Sequence, residues 1–532
     1  MTRSSKIRWI FSGLLAATPL THAANTLIYC SEGSPAGFDP AQYNALTDFN
    51  ASAETVFNRL TQFTRGGTEL VPGLAEKWNV TPDGLSHTFY LRKGVKFQTT
   101  DYFTPSREFN ADDVLFTFER MLDKNHAFRK AYPTEFPYFA DMGMNENIAK
   151  LEKLDANTVK FTLKKIDAAF AQNMALSFAS IQSAEYAGML LKEGRPQQIN
   201  QQPVGTGPFI FKRYQKDAQI RFTANKDYWN RADGPKVDNL VFAISVDPSV
   251  RFQKLKAGEC HITAYPRPAD LSAMKADAKL QVKTQPGFNL GYLAYNVKHP
   301  PLDQLPVRQA LDMAINRQAI LDAVYQGAGQ AATNPMPPTQ WSYNKSLQDA
   351  PHDPEKAKAL LKKAGFPEGF DISLWAMPVQ RPYNPNPKLM AEMIQADWAK
   401  IGVKAKVQSI EWGEYLRRAK KGEHDTMLIG WTGDNGDPDN WLGILFGCDA
   451  VNGTNYSKWC HTPYEELIQK GKATTDMAER TRLYMKAQEI FKQQLPVTTI
   501  AHSTVNIPMR KEVQDYKVSP FGLMSFYGVS LR

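Results

Sequence analysis

The sequence predicts an α/β protein whose carboxy-terminal half carries a parallel sheet. Three observations lead there. Between residues 371 and 430, short apolar runs rich in strand formers alternate with helical patterns of about 10 to 14 residues. The helix preceding this stretch carries agreeing start and stop signals. The chain is 532 residues long, with 42% hydrophobic residues and 22% charged ones, enough to bury a large core in more than one lobe.

Taken in order, residues 25–30 are β-branched and apolar, like a buried strand, and run into a Gly/Pro-rich turn. Pro82, Asp83 and Gly84 have turn chemistry between residues 78–80 and the alternating run 87–92, predicting a hairpin. Asn110 caps a helix over 111–122, where early acidic residues suit a helix N-terminus. Asp353 followed by Pro354 starts a helix that Gly365 ends. Then come a strand over 371–377, a helix over 388–401 with Met390, Met393, Ile394 and Trp398, and a strand over 403–410. A helix over 412–421 and a strand over 425–430 complete the β-α-β-α-β order. Such helices between short strands make right-handed crossovers and a parallel sheet.

Composition narrows the function. Lys plus Arg number 63 against 54 Asp plus Glu, a formal charge of +9, and three of the positive charges, Arg3, Lys6 and Arg8, belong to the leader described next. The remainder is spread thinly without a basic block, so nucleic acid is not an expected partner. Residues 1–23 read as a secretory signal: three basic residues, a short apolar core, then Thr21 and Ala23, which favour cleavage after Ala23. No run is long enough to span a bilayer, so the mature chain is expected to be exported, without membrane insertion.

The four cysteines, Cys30, Cys260, Cys448 and Cys460, point in an exported chain to two disulfides, with three possible pairings. Cys448 with Cys460 most simply closes a small loop, contributing about 3 kcal/mol in the chain-entropy model, which leaves Cys30 with Cys260. Cys260-His261 and Cys460-His461 lack zinc-ligand spacing, and the acidic loop of Asp434, Asp437 and Asp439 lacks the features of an EF-hand. No metal and no cofactor are expected. The chain has no GxSxG, HExxH, Walker or GxGxxG motif, and its nine His are scattered, so catalysis is not expected.

In open parallel sheets ligands sit beyond the carboxyl ends of the strands. The segments following the three predicted strands carry Arg381 and Tyr383, Trp412, and Trp431 with Asp434. A guanidinium holds a carboxylate in a two-bond fork, and an aspartate holds an ammonium. Arg381 and Asp434 therefore either read the two ends of a zwitterion or serve as surface charges. Trp412 and Trp431 are either apolar walls of that site or plain core, and Tyr383 sits in a stiff loop where its hydroxyl offers a neutral hydrogen bond.

Residues 27–35, 71–78, 110–114, 203–209, 375–385 and, most specifically, 430–440 make the chain resemble the extracytoplasmic peptide-binding proteins of ABC importers: solute-binding protein family 5, the peptide, nickel and haem-peptide binders. The likeness covers nearly the whole mature chain. It implies a two-lobed periplasmic-binding-protein fold of class II with an extra subdomain in lobe one, closing about a hinge. Lobe one would take residues 24–285, with the subdomain at about 60–190, and residues 505–532; lobe two would take 286–504. The resemblance implies that Asp434 binds a peptide α-ammonium and Arg381 the α-carboxylate, while Tyr383, Trp412 and Trp431 line the pocket. It implies the disulfides Cys30–Cys260 and Cys448–Cys460, a periplasmic monomer, a dipeptide or tripeptide ligand and a membrane permease as partner. Residues 44–47 depart from the hydroxyl-rich stretch of the dipeptide binders, and residues 97–102 look more like relatives tied to antimicrobial-peptide or haem uptake. A haem, tetrapyrrole or antimicrobial-peptide carrier of the same fold is thus the alternative, and a periplasmic peptidase the alternative of another class.

Overall fold

The structure is a computed structural model that describes residues 25–532; the signal expected over 1–23 lies outside them. Twelve strands form one sheet in two sets, which share the long strand Val497–Arg510. The first half of that strand pairs with Asn289–Tyr295, and its second half, from Thr504 onward, pairs with Leu280–Pro286. These two partners are consecutive in the chain, so two strands run side by side from one set into the other. At the crossing, the Gly287 N–H donates to the Ser503 carbonyl at 2.9 Å. The Asn289 amide bonds both the backbone N–H (2.9 Å) and the hydroxyl (3.0 Å) of Ser503.

The first lobe is built on Thr26–Ser31, which lies parallel to both Asn239–Ile244 and Ile262–Thr263. Its core gathers Leu27, Tyr29, Phe242, Ile262 and Phe526. Residues near the carboxyl terminus, such as Phe526, thus pack on the first strand of the chain. Cys30 and Cys260 are disulfide-bonded with Cα atoms 5.7 Å apart.

An antiparallel sheet in the order Ala75–Val80, Ser86–Leu91, Thr158–Leu163, Ile148–Asp155 forms a separate unit on this lobe. It has its own aromatic core of Phe89, Phe118, Phe161, Phe170 and Phe178. The hairpin about residues 82–84 forms as expected, with Gly84 supplying a φ of +71°. Helix Ala111–Leu122 is closed at its start by a reciprocal box between Asn110 and Asp113.

The second lobe contains the expected β-α-β-α-β unit: Asp371–Trp375, helix Pro387–Ala399, Lys404–Gln408, helix Trp412–Lys420 and Thr426–Thr432. The first of these strands lies in the middle, parallel to the other two. The parallel part ends there, because Thr426–Thr432 pairs antiparallel with Asn289–Tyr295. That pairing also carries the last strand two residues beyond its expected end, so Trp431 lies within the strand, opposite Leu290. Cys448 and Cys460 are bonded and close a short loop, with Cα atoms 4.7 Å apart. No described helix is long and apolar enough to cross a membrane.

The separate unit is fastened to the first lobe by a buried fork. The Arg120 guanidinium donates to both Asp39 oxygens, at 2.6 and 2.9 Å, with the side chains 2% and 0% exposed. Burial pushes the Asp39 carboxyl up, but the Arg120 charge and its hydrogen bonds outweigh it and hold the group below its ordinary value. Removing one partner strands a buried charge. Arg120→Met is therefore expected to cost about 3–5 kcal/mol in urea unfolding at pH 7. Because the folded-state value of Asp39 is depressed, its contribution is full at neutral pH and is lost as pH falls below about 4, the ordinary aspartate range.

Candidate functional site: a cavity between the lobes

A cavity of about 840 Å³ lies where the two lobes meet, within the range of about 300–1,000 Å³ usual for small-ligand sites. Arg381, Tyr383, Trp412, Trp431 and Asp434 all line it, so the structure brings the five sequence-selected residues to one place. The opposite wall comes from the first lobe and includes Phe49, Glu54, Arg59, Phe63 and Tyr138.

The loop carrying Arg381 and Tyr383 is seated on glycine. Gly291 and Gly430 face each other across adjacent strands. A Cβ at Gly291 would stand 2.4 Å from the Tyr383 carbonyl oxygen, and one at Gly430 would stand 2.2 Å from the Tyr383 ring. Only bare backbone leaves this slot open. The loop is closed by mutual backbone bonds between Arg381 and Asn384, at 2.9 and 3.1 Å, and the Tyr325 hydroxyl donates to the Tyr383 carbonyl at 2.7 Å. Tyr383 is 7% exposed; burial pushes its phenol up and the Arg381 charge opposes this, leaving it neutral.

The Arg381 guanidinium lies over the Trp412 indole, 4.8 Å from the ring centre, and donates to the Gln380 carbonyl at 3.3 Å. Trp412 is the first residue of its helix and stacks on Tyr415. Asp434 follows the strand end and is held by Asn440 from the next helix, Asp439–Phe446. The Asn440 side-chain oxygen accepts from the Asp434 N–H and from the Trp431 indole N–H, both at 3.0 Å. Its amide nitrogen donates to the Asp434 carboxylate at 3.4 Å. Across the cavity, the Tyr138 phenol hydrogen-bonds the same carboxylate; burial first, and that negative charge second, push its pKa well above the ordinary value, so it stays a neutral donor.

Trp412 and Trp431 are partly buried and pack on the aromatic cluster of the second lobe while still lining the cavity, so wall and core are not exclusive roles. The other acids of the Asp434 loop are engaged by cations: Asp437 meets Arg480 at 2.8 Å, and Asp439 meets Lys472 at 3.3 Å. Among the described residues no group of three or more His, Cys, Asp or Glu side chains could hold a metal ion.

Sequence reasoning missed Asn440, Tyr138, Glu54 and Arg59. Asn440 had a usable signal, an amide in the first turn after Asp437-Pro438; the other three come from distant segments that only the fold brings here. Asn440→Ala leaves the Trp431 indole N–H and the Asp434 N–H without their acceptor. The expected loss is about 1–3 kcal/mol in urea unfolding, with a changed tryptophan emission in the folded protein.

Comparison with known proteins agrees with this architecture. Residues 69–453 match the model of bacterial extracellular solute-binding proteins, family 5. A protein of Pseudomonas aeruginosa strain UCBPP-PA14 named di/tripeptide-binding protein 1 is 69% identical over 520 residues, spanning 98% of this chain and 96% of its own. The structure of HbpA2 from Haemophilus parasuis aligns with a TM-score of 0.89 at 45% identity, covering 96% of this chain and all of that one. The dipeptide-binding protein of Pseudoalteromonas sp. SM9913, solved with Met-Leu, aligns with a TM-score of 0.83 at 38% identity over 95% of this chain and all of that one. The two-lobed architecture, the separate unit on the first lobe and the matched residues together make this chain a member of the family 5 bacterial extracellular solute-binding proteins.

Proposed function

We propose that the chain is a periplasmic solute-binding protein that captures dipeptides, with room for tripeptides, and hands them to the membrane permease of an ABC-type importer. The observation that carries this reading is the pair of opposite charges, Arg381 and Asp434, on the second-lobe side of one cavity that Tyr383, Trp412 and Trp431 also line. Asp434 takes the α-ammonium and Arg381 the α-carboxylate. The aromatic walls exclude water and strengthen both contacts. A chain with blocked termini would bury a charge without its partner, which costs several kcal/mol. Backbone ends are thus read strictly and side chains loosely. The similarity to proteins named for di- and tripeptide binding supports the ligand class.

Capture proceeds by closing lobe two, residues 286–504, on lobe one, residues 24–285 and 505–532, about the paired stretches 286–289 and 501–504; the unit at about 60–190 moves with lobe one. The ligand stabilises the closed form by bonding both lobes, and the closed monomer docks on the permease. No bond is made or broken.

Isothermal calorimetry tests the reading. Ala-Ala is expected to bind wild type at least 100-fold more tightly than its N-acetyl or C-amide forms. Asp434→Ala should lose most of the discrimination against the acetylated peptide, and Arg381→Ala that against the amide. Equal affinity for free and blocked peptides would refute it.

A further inference from the structure

The loop that carries Asp434 also touches the first lobe beside the cavity. Next to Asp434, the Asn435 amide nitrogen donates to the Asn173 side-chain oxygen of the first lobe at 2.9 Å, and both residues are buried. The other end of the Asn435 amide accepts from the Asp437 N–H at 2.9 Å, which fixes its direction. Gly436 follows, where a Cβ would come within 2.9 Å of the Thr68 carbonyl. Asn173 in turn donates to Asp167 at 3.2 Å, and Asp167 also accepts from the Ala169 N–H at 2.9 Å. The Ala168 N–H reaches the Lys472 carbonyl of lobe two at 3.3 Å. Neither Asp167 nor Asn173 lines the cavity.

We propose that Asp167 and Asn173 are positioning residues for capture: they clasp the Asp434 loop against the first lobe, so that affinity depends on contacts the ligand never touches. The inference rests on the peptide reading of the cavity, which it deepens by making closure dependent on one carboxyl of the first lobe. Asp167 is faced by Lys472 at the end of helix Thr462–Lys472, by Asp439 at the start of helix Asp439–Phe446, and by Asp437 of the loop. Burial pushes its carboxyl up to about 6; Lys472 opposes this, while Asp439 and Asp437 add to it. When the lobes part, Lys472, Asp439 and Asp437 withdraw and water reaches the side of the group that they covered, so its value falls back toward the ordinary one near 4. Closure therefore takes up a proton between about pH 4 and 6. It is favoured as pH falls through 6, and the gain levels off below about 4, where both forms are protonated.

The test is calorimetry with Ala-Ala at pH 5 and pH 7, joined to small-angle scattering of the ligand-free protein. Wild type is expected to bind about tenfold more tightly at pH 5 than at pH 7, and Asp167→Asn to show no such slope. Asn173→Ala and Asn435→Ala should each weaken binding about fivefold at pH 7, and the double variant no further, because all three lose the same bond. Scattering reads closure without ligand: wild type should be more compact at pH 5 than at pH 7, and Asp167→Asn equally compact at both. Wild-type affinity in both single variants, or penalties that simply add, would overturn the clasp, as would a pH response of Asp167→Asn equal to that of wild type. Absence of Ala-Ala binding by wild type would refute the peptide reading instead, and the compaction of wild type and Asp167→Asn would still decide the clasp.

Discussion

Three parallel strand ends that open on the same cavity are the constraint on which the site depends. Because Asp371–Trp375 lies between Lys404–Gln408 and Thr426–Thr432, the segments leaving all three strands emerge on one rim. A cation, aromatic walls and a carboxylate converge there, although they are scattered over more than fifty residues of sequence. The rim also needs absence of side chain: the facing Gly291 and Gly430 let the Arg381 loop lie directly on the sheet, which fixes where its charge can be.

The link between the lobes is equally economical. Val497–Arg510 is a single strand of 14 residues that serves both halves of the sheet, and the chain leaving Leu280–Pro286 for Asn289–Tyr295 runs beside it. At the crossing Asn289 bonds Ser503 and His502, and Gly329–Ala331 pairs with the same stretch of the long strand, while each lobe has a large core of its own. Local change at these residues can swing one lobe against the other without disturbing either core. The inter-lobe bond of Asn435 with Asn173 lies on the opposite footing: it exists only when the lobes meet.

The parallel unit was legible because its signals are local. Asp353-Pro354 and Gly365 bracket one helix, and they do so in the structure, where Asp353 accepts from the Lys356 N–H at 2.9 Å and Gly365 has a φ of +95°. The rim residues followed from the strand-end rule. The end of the last strand was misplaced because pairing with Asn289–Tyr295, a tertiary event, extends it through Trp431. Tyr138 and Asn173 left no trace in sequence: each sits in a short helical turn of the first lobe, and its meaning comes from the partner that the fold sets opposite, Asp434 in one case and Asn435 in the other. Pairs of this kind, remote in sequence and joined through side chains, are what periodicity and capping cannot reveal.

A crystal structure of the chain with a bound dipeptide tests most directly whether two fixed opposite charges grip the ends of a very short peptide. The peptide ammonium is expected at hydrogen-bond distance from the Asp434 carboxylate and the peptide carboxylate on the Arg381 guanidinium, between the rings of Trp412 and Trp431. A peptide bound in the reverse direction, or with its termini on other residues, would contradict it.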